Sequence, residues 1–232
     1  MYLFFKRLFD IISSFVTLII AAPLWLIIAI GIKISSPGPV FYTAVRSGIN
    51  HKEFLLYKFR SMHVLQQPKG SLSKNKTESR FIANENRIFK LGGFLRKSKL
   101  DELPQFLNVF YGQMSVIGPR PYPDKAVKKF YTGEYESVTS VKPGLACLDS
   151  LYDYAHGELI VGSDKEYIEH VLPVRTELAK MYVDNMSFCL DMYCIFRTLQ
   201  LMFEIAILKK RNFEYTKYER KAIEKVFGSS KI

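Results

Sequence analysis

Three features of the 232 residues predict an α+β, mainly helical fold. They are an uncharged apolar run from Ile11 to Ile32, one pair of β-rich segments around a glycine-containing turn, and amphipathic segments of helical period over much of the remainder. The expected arrangement is an N-terminal membrane-embedded, Pro-broken helix over 1–36, a compact domain over 37–211 built from a small β-hairpin and interfacial amphipathic helices, and a C-terminal tail over 212–232. A hydrophobic content of 48% with 14% aromatics supplies a core and more apolar material besides. A net charge of +11 implies an acidic partner: nucleic acid, an anionic membrane surface or a phosphorylated small molecule. No basic-aromatic module or recognition helix is present, which argues against nucleic acid. Cys147, Cys189 and Cys194 form no CxxC pair, so neither a disulfide framework nor a structural zinc site is indicated.

As a helix the run from Ile11 to Ile32 is about 33 Å long, enough to cross a bilayer core. It is long for a signal peptide and lacks a clean cleavage pattern. Pro23 removes a backbone hydrogen bond in its middle, so Ala22-Pro23 is the expected break. Lys6 and Arg7 precede the run, and Lys33, Arg46, Lys52 and Lys58 follow it. Positive charge on both flanks argues that both ends lie on one face, as in a re-entrant hairpin. A kinked spanning helix is the alternative, and composition leaves both open.

Ser36-Pro37-Gly38-Pro39 stops the apolar helix. Val40 to Val45 and Phe54 to Phe59 are β-branched and aromatic, with Ser47-Gly48-Ile49-Asn50 as the turn between them, so a hairpin follows. Lys58 and Arg60 fall on one face of its second strand and read either as a phosphate clamp or as a solvated edge. From Val64 to Arg87 the composition is that of a loop. An amphipathic run, Ile88 to Leu95, leads into Arg96-Lys97-Ser98-Lys99-Leu100-Asp101-Glu102-Leu103-Pro104-Gln105. Leu103, Phe106, Leu107 and Phe110 recur at helical spacing, which places Asp101 and Glu102 in a first turn, where free N–H groups hold a carboxylate ionised and attract phosphate. Capping is the competing reading, because Ser98 and Asp101 fit a capping box. Pro119 and Pro121 stiffen the turn that presents Arg120, a side chain suited to bidentate phosphate contact. Lys142-Pro143-Gly144 marks another turn. The stretch from Tyr167 to Val183 is helical, and Phe188 to Leu208 reads as an amphipathic helix on a membrane surface or packed on the domain. Lys209-Lys210-Arg211 suits an anionic lipid surface.

Taken in order, Lys6-Arg7-Leu8-Phe9-Asp10, Ser36-Pro37-Gly38-Pro39-Val40-Phe41, Tyr57-Lys58-Phe59-Arg60-Ser61-Met62, Leu95-Arg96 through Gln105, Gly118-Pro119-Arg120-Pro121 and Lys142-Pro143-Gly144 resemble the bacterial sugar transferases of the monotopic phosphoglycosyl transferase superfamily. The resemblance covers nearly the whole chain. It implies an enzyme of the bacterial cytoplasmic membrane, with its catalytic domain on the cytoplasmic face. Such an enzyme moves a sugar-1-phosphate from a nucleotide diphosphate sugar, usually a UDP-sugar, to polyprenyl (undecaprenyl) phosphate in the first step of surface polysaccharide synthesis. By position Asp101 is the nucleophile that carries the phosphosugar covalently, with UMP leaving, and Glu102 is its helper. Lys58, Arg60, Arg96 and Arg120 are the expected phosphate-binding cations. Mg²⁺ is the expected cofactor, held by Asp101 and Glu102. The resemblance also favours the re-entrant anchor broken at Ala22-Pro23. Membrane lipid is a further partner; the oligomeric state is open, with a homodimer among the options. Two departures stand out. Ala22 replaces a serine common before the membrane proline, and Leu145 to Tyr154 replaces a Gly-Trp-x-x-Val-x-Gly-Arg pattern, which leaves the donor open. A non-catalytic membrane scaffold of a polysaccharide assembly complex is the alternative function.

Overall fold

The computed structural model describes residues 1–64, 85–157 and 164–229. The expected loop between Val64 and Arg87 falls almost wholly outside the described residues. Helix α1 spans Tyr2–Ser35 and is long and apolar enough to cross a membrane. It continues through Pro23 as one helix, where the sequence predicts a break. The proline removes one hydrogen bond, which bends a helix at that point without ending it. Asp10, Ser14, Ala21, Ile28 and Ile32 are its buried residues and recur at helical spacing. They form one inward stripe. Ile12, Phe15, Val16, Ile19, Ile20, Leu26, Ile27 and Ile30 are exposed.

Both ends of α1 are tied to the rest of the chain. Near its start, Arg7 donates to the carbonyls of Val109 and Phe110 at 2.7 and 2.8 Å, and Asp10 Oδ1 accepts from Ser115 Oγ and the Val116 N–H at 3.0 and 2.8 Å. Tyr2 and Lys6 donate to Asp191 Oδ2 at 2.7 and 2.8 Å, and Tyr182 holds the other carboxylate oxygen at 2.7 Å. Near its end, Ile28 and Ile32 pack with Phe59, Phe89 and Leu95, and Trp25 meets Phe59 edge-on at 5.4 Å between ring centroids.

The expected hairpin is present: β1 (Phe41–Ser47) and β2 (Glu53–Phe59) pair antiparallel from Phe41 opposite Phe59 to Ser47 opposite Glu53. Asn50 and His51 take left-handed backbone conformations in the turn. Next come α2 (Lys90–Lys97), a single 3-10 turn (Leu100–Glu102) and the short α3 (Gln105–Phe110). Two three-residue strands, β3 (Ser115–Ile117) and β4 (Gly144–Ala146), pair in parallel on either side of α4 (Asp124–Phe130). Their partnership joins the Gly118-Pro119-Arg120-Pro121 and Lys142-Pro143-Gly144 segments. A β-carbon on Gly144 would lie 2.1 Å from the Gly118 nitrogen, and one on Gly118 would lie 2.4 Å from the Lys142 carbonyl oxygen. Only glycine permits that crossing.

Helix α5 (Leu148–Tyr152) runs into a π-helical turn, Asp153–Gly157. A second π-helical turn, Tyr167–Val171, opens α6 (Leu172–Asp184), which α7 (Phe188–Ala206) follows. The main core gathers Leu148, Leu151, Val171, Val174, Leu178, Tyr182, Cys194 and Leu201 from these helices. Residues 212–232, expected as a tail, contain a further helix, α8 (Lys217–Phe227), whose Ala222 and Ile223 are buried in that core. A Thr216–Glu219 capping box starts it.

Candidate active site

The 3-10 turn that carries Asp101 and Glu102 is bounded by Lys99, which holds a left-handed conformation at φ 57°. That costs a lysine about 1 kcal/mol. The turn thereby leaves the axis of α2, and Asp101 points inward while Glu102 faces the cations. Asp101 is the first-turn residue the sequence allowed, in a 3-10 turn and not in α3, and it is no cap. No capping box forms, because Ser98 Oγ donates back to the Phe94 carbonyl at 2.8 Å, and α3 starts only at Gln105 and is six residues long. The dyad therefore sits in its own turn rather than on the N-terminus of α3.

Glu102 is the hub of the charges. Lys58 Nζ, from β2, donates to Glu102 Oε1 at 2.7 Å, and Arg120 Nη2 reaches the same oxygen at 3.4 Å. Burial would raise the Glu102 carboxyl, yet Lys58, Arg120 and Lys99 together outweigh it and hold the group well below the usual carboxylate range. Asp101 behaves oppositely. It is 6% exposed, and its Oδ1 is buried with no hydrogen-bond partner among the described residues. Burial pushes its carboxyl up, against the pull of Lys58; the Glu102 charge adds to the rise, while Lys99 and Arg96 oppose it. Adjacent carboxylates are thus driven apart, one firmly ionised and one reluctant.

Of the expected cations, the structure brings Lys58 and Arg120 together at Glu102 and sets Arg96, in the last turn of α2, within electrostatic reach of Asp101. Arg60 is placed elsewhere. Its guanidinium is buried at the end of α1, donating to the Pro39 carbonyl at 2.6 Å, Ser36 Oγ at 2.8 Å and the Ser36 carbonyl at 2.7 Å. Arg60 follows the last residue of β2, so strand alternation no longer places it beside Lys58. Ala22 and Pro23 lie inside the continuous α1, remote in sequence from every residue of this cluster.

Several contributors were not singled out from the sequence. Lys99 Nζ lies 4.5 Å from the centroid of the Tyr154 ring, and burial lowers its ammonium pKa despite the nearby Glu102. Tyr154 also donates to the Lys97 carbonyl at 2.9 Å. Behind Arg120, Asp149 Oδ2 accepts from the Arg120 backbone N–H at 3.3 Å and pairs with Arg175 Nη2 at 3.4 Å. Arg175 Nη1 meets Asp153 Oδ2 at 3.1 Å and also bonds the Tyr167 hydroxyl. Arg175 and Asp149 are almost wholly buried, at 2% and 1% side-chain exposure. Gln105, one turn after Asp101, buries an amide nitrogen that has no partner among the described residues. None of these pairings has a sequence signal except Lys99, which belongs to the basic run before the dyad.

The donor set has room for a cation only in part. Glu102 Oε1 is already held by two side-chain cations, whereas the unpartnered Asp101 Oδ1 is an available oxygen. Among the described residues no group of three or more metal-binding side chains assembles. Mg²⁺ commonly takes one or two carboxylates and completes its shell with water and substrate phosphates, so this set fits a cation shared with a diphosphate and not a protein cage.

This geometry accompanies a family match. The model of the bacterial sugar transferase family covers residues 1–205. A UDP-glucose:undecaprenyl-phosphate glucose-1-phosphate transferase of Klebsiella pneumoniae is 37% identical over 202 residues, covering 84% of this chain and 39% of that protein. An exopolysaccharide production protein of Rhizobium leguminosarum is 35% identical over 199 residues, 84% of this chain and 92% of that protein. A UDP-N-acetylgalactosamine-undecaprenyl-phosphate N-acetylgalactosaminephosphotransferase of Aeromonas hydrophila is 31% identical over 204 residues, 86% of this chain and 44% of that protein. The chain spans less than half the length of the Klebsiella and Aeromonas proteins. With the family match running from Met1 into α7 and taking in the dyad, Lys58, Arg120 and both glycine segments, the chain belongs to the bacterial sugar transferase family.

Proposed function

We propose that this protein transfers a sugar-1-phosphate from a nucleotide diphosphate sugar, with a UDP-sugar as first choice, to undecaprenyl phosphate at the cytoplasmic face of the membrane. The observation that carries the reading is the buried Asp101 carboxyl with an unpartnered oxygen, beside an ionised Glu102 held between Lys58 and Arg120. A carboxylate attacking a phosphate diester meets like-charge repulsion, and Lys58, Lys99, Arg96 and Arg120 offset it. In the first step an Asp101 oxygen forms a bond to the sugar-bearing phosphorus. The bond from that phosphorus to the bridging oxygen breaks, and the electron pair leaves with the nucleoside monophosphate. In the second, an oxygen of the lipid phosphate attacks the same phosphorus and the Asp101 carboxylate departs. No proton need move to or from Asp101 in either step, which suits a second carboxylate that stays ionised and anchors cations. Mg²⁺ shared by Asp101, Glu102 and the diphosphate would neutralise charge on the leaving phosphate.

The lipid substrate requires membrane contact. Support comes from α1, whose outward face is apolar along its length while both ends bond to the same body. A body confined to one side of the bilayer holds both ends there, so α1 enters and leaves by one face. The exposed Phe196, Leu199 and Phe203 of α7, with Ile207 at its C-cap, recur at helical spacing and extend the lipid-facing surface. Asp101→Asn tests the chemistry: the variant is expected to release no UMP from a UDP-sugar in the presence of undecaprenyl phosphate. Turnover within tenfold of wild type would remove Asp101 as nucleophile, since loss of such a group costs on the order of 10⁶ in kcat in a well-studied case.

A further inference from the structure

The helix α8 lies beyond the family-matched residues 1–205, yet it is packed into the core and touches the turn at the end of the segment in which this chain departs from the family pattern. Contact is made through His156, which is 5% exposed. On one side the His156 ring lies 4.6 Å from the ring of Tyr215, just ahead of α8. On another, His156 Nε2 is 3.8 Å from Glu219 Oε2, the same carboxylate that closes the capping box of α8 by accepting the Thr216 N–H at 2.6 Å. Tyr152 completes the stack, 5.3 Å from His156 and 6.5 Å from Tyr215. Burial would raise Glu219, but His156 and the Thr216 N–H keep it below the ordinary range, so the carboxylate stays charged against the imidazole.

His156 lies in the same π-helical turn that carries Asp153 and Tyr154. Asp153 engages Arg175 and shares its field with Arg120 and Lys99; Tyr154 grips the Lys97 carbonyl and lies under Lys99. A π-helical turn is a single extra-wide turn that needs outside support to persist. We propose that Tyr215 and Glu219, by clasping His156, make the C-terminal helix a strut that fixes the Asp153-Tyr154 turn and thereby the Lys97–Lys99 edge of the active site. His156, Tyr215 and Glu219 are positioning residues in this arrangement. The functional part of the inference rests on the reading of the site as a nucleotide-sugar binder, since a displaced Lys99 weakens the hold on an anionic donor.

Two measurements on the 232-residue chain in nanodiscs test it. Amide hydrogen exchange at residues 97–99 should accelerate about tenfold in Tyr215→Leu and His156→Leu and stay at the wild-type rate in Tyr215→Phe, which keeps the ring. Lys225→Ala is the control: it removes ion pairs to Glu177 and Glu134 on the far part of α8, lowering stability without touching His156. Unchanged exchange at 97–99 in both Leu variants, or equal acceleration in Lys225→Ala, overturns the strut whatever the catalytic activity. In steady-state assays the Leu variants should raise the donor KM by about tenfold, with the lipid-acceptor KM unchanged and Tyr215→Phe normal. Accelerated exchange with an unchanged donor KM overturns the link to donor binding. Wild-type protein that releases no nucleoside monophosphate from any nucleotide sugar instead overturns the functional reading, and leaves the exchange result to decide the strut.

Discussion

Lys58 and Arg60 are two residues apart and carry like charges, yet they do unlike things. Lys58 closes on Glu102 at 2.7 Å and lowers the neighbouring Asp101 carboxyl through space. Removing it as Lys58→Met leaves burial less opposed, so the Asp101 pKa rises further. With Asp101 acting ionised as the proposed nucleophile, the acid limb of the kcat/KM profile should move to higher pH and kcat/KM should fall by about 10²-fold or more at neutrality. A pH–rate series on the variant checks the sign; a limb that moves down would contradict it. Arg60 instead holds three oxygens at the foot of α1, two of them from Ser36. Arg60→Met is expected to destabilise the fold by about 2–4 kcal/mol, seen as a lowered Tm, with the donor KM unchanged. Alternation along β2 places both cations on one face, and that rule expires where the strand ends at Phe59.

The pairing of β3 with β4 and the helices behind it turns separated motifs into one scaffold. Strand contact brings Gly118 and Pro119 beside Gly144, whose N–H donates to the Pro119 carbonyl at 2.9 Å, and Asp149 then takes the Arg120 N–H while answering the buried Arg175. Arg175→Met leaves Asp149 buried without its countercharge, and the expected loss is about 3–5 kcal/mol at pH 7. Asp153 contributes to the pH dependence of stability. Burial raises its carboxyl, but Arg175, Arg120 and Lys99 depress it overall, so its pairing stabilises the fold above the unfolded carboxylate pKa of about 3.9 and is lost as pH falls through the lower folded value. Thermal melting from pH 7 to pH 3 should therefore show the gap between wild type and Arg175→Met narrowing in acid. The hairpin, α2, α6 and α7 were legible in the sequence because period and turn residues are local, whereas α4, α5 and α8 are short segments whose helical pattern was not legible. The β3–β4 pair was not, since three-residue parallel strands separated by a helix have too little pattern to register.

At the scale of the whole molecule, α1 is about 50 Å long at 1.5 Å per residue, well beyond a hydrocarbon core of about 30 Å. A straight spanning helix of that length would carry one of its ends out on the opposite side. The contacts of Lys6, Arg7 and Asp10 at one end and of Ile28 and Ile32 at the other are the support for the proposed re-entrant anchor, in which both ends stay with a body on a single face. A cysteine placed before Tyr2 and one placed after Phe227 should both react with an impermeant thiol reagent in inverted vesicles and resist it in intact cells. Labelling of the first from outside alone would require the helix to span.

The sequence by itself determined the anchor, the hairpin, the dyad and the order of motifs that marks the family, because each is a property of neighbouring residues: apolar length, alternation, turn chemistry and adjacent charge. It also named Lys58, Arg96 and Arg120 by the affinity of their side chains for phosphate. Only the tertiary structure decided which cations meet Glu102, that Asp101 is buried and caps nothing, that Arg60 serves the anchor, and that the C-terminal residues fold against the core. Those outcomes depend on contacts across tens of residues, such as Lys58 with Glu102 and Asp149 with Arg175. Burial and opposing charge set the ionisation of each carboxyl, and neither exists until the chain has closed.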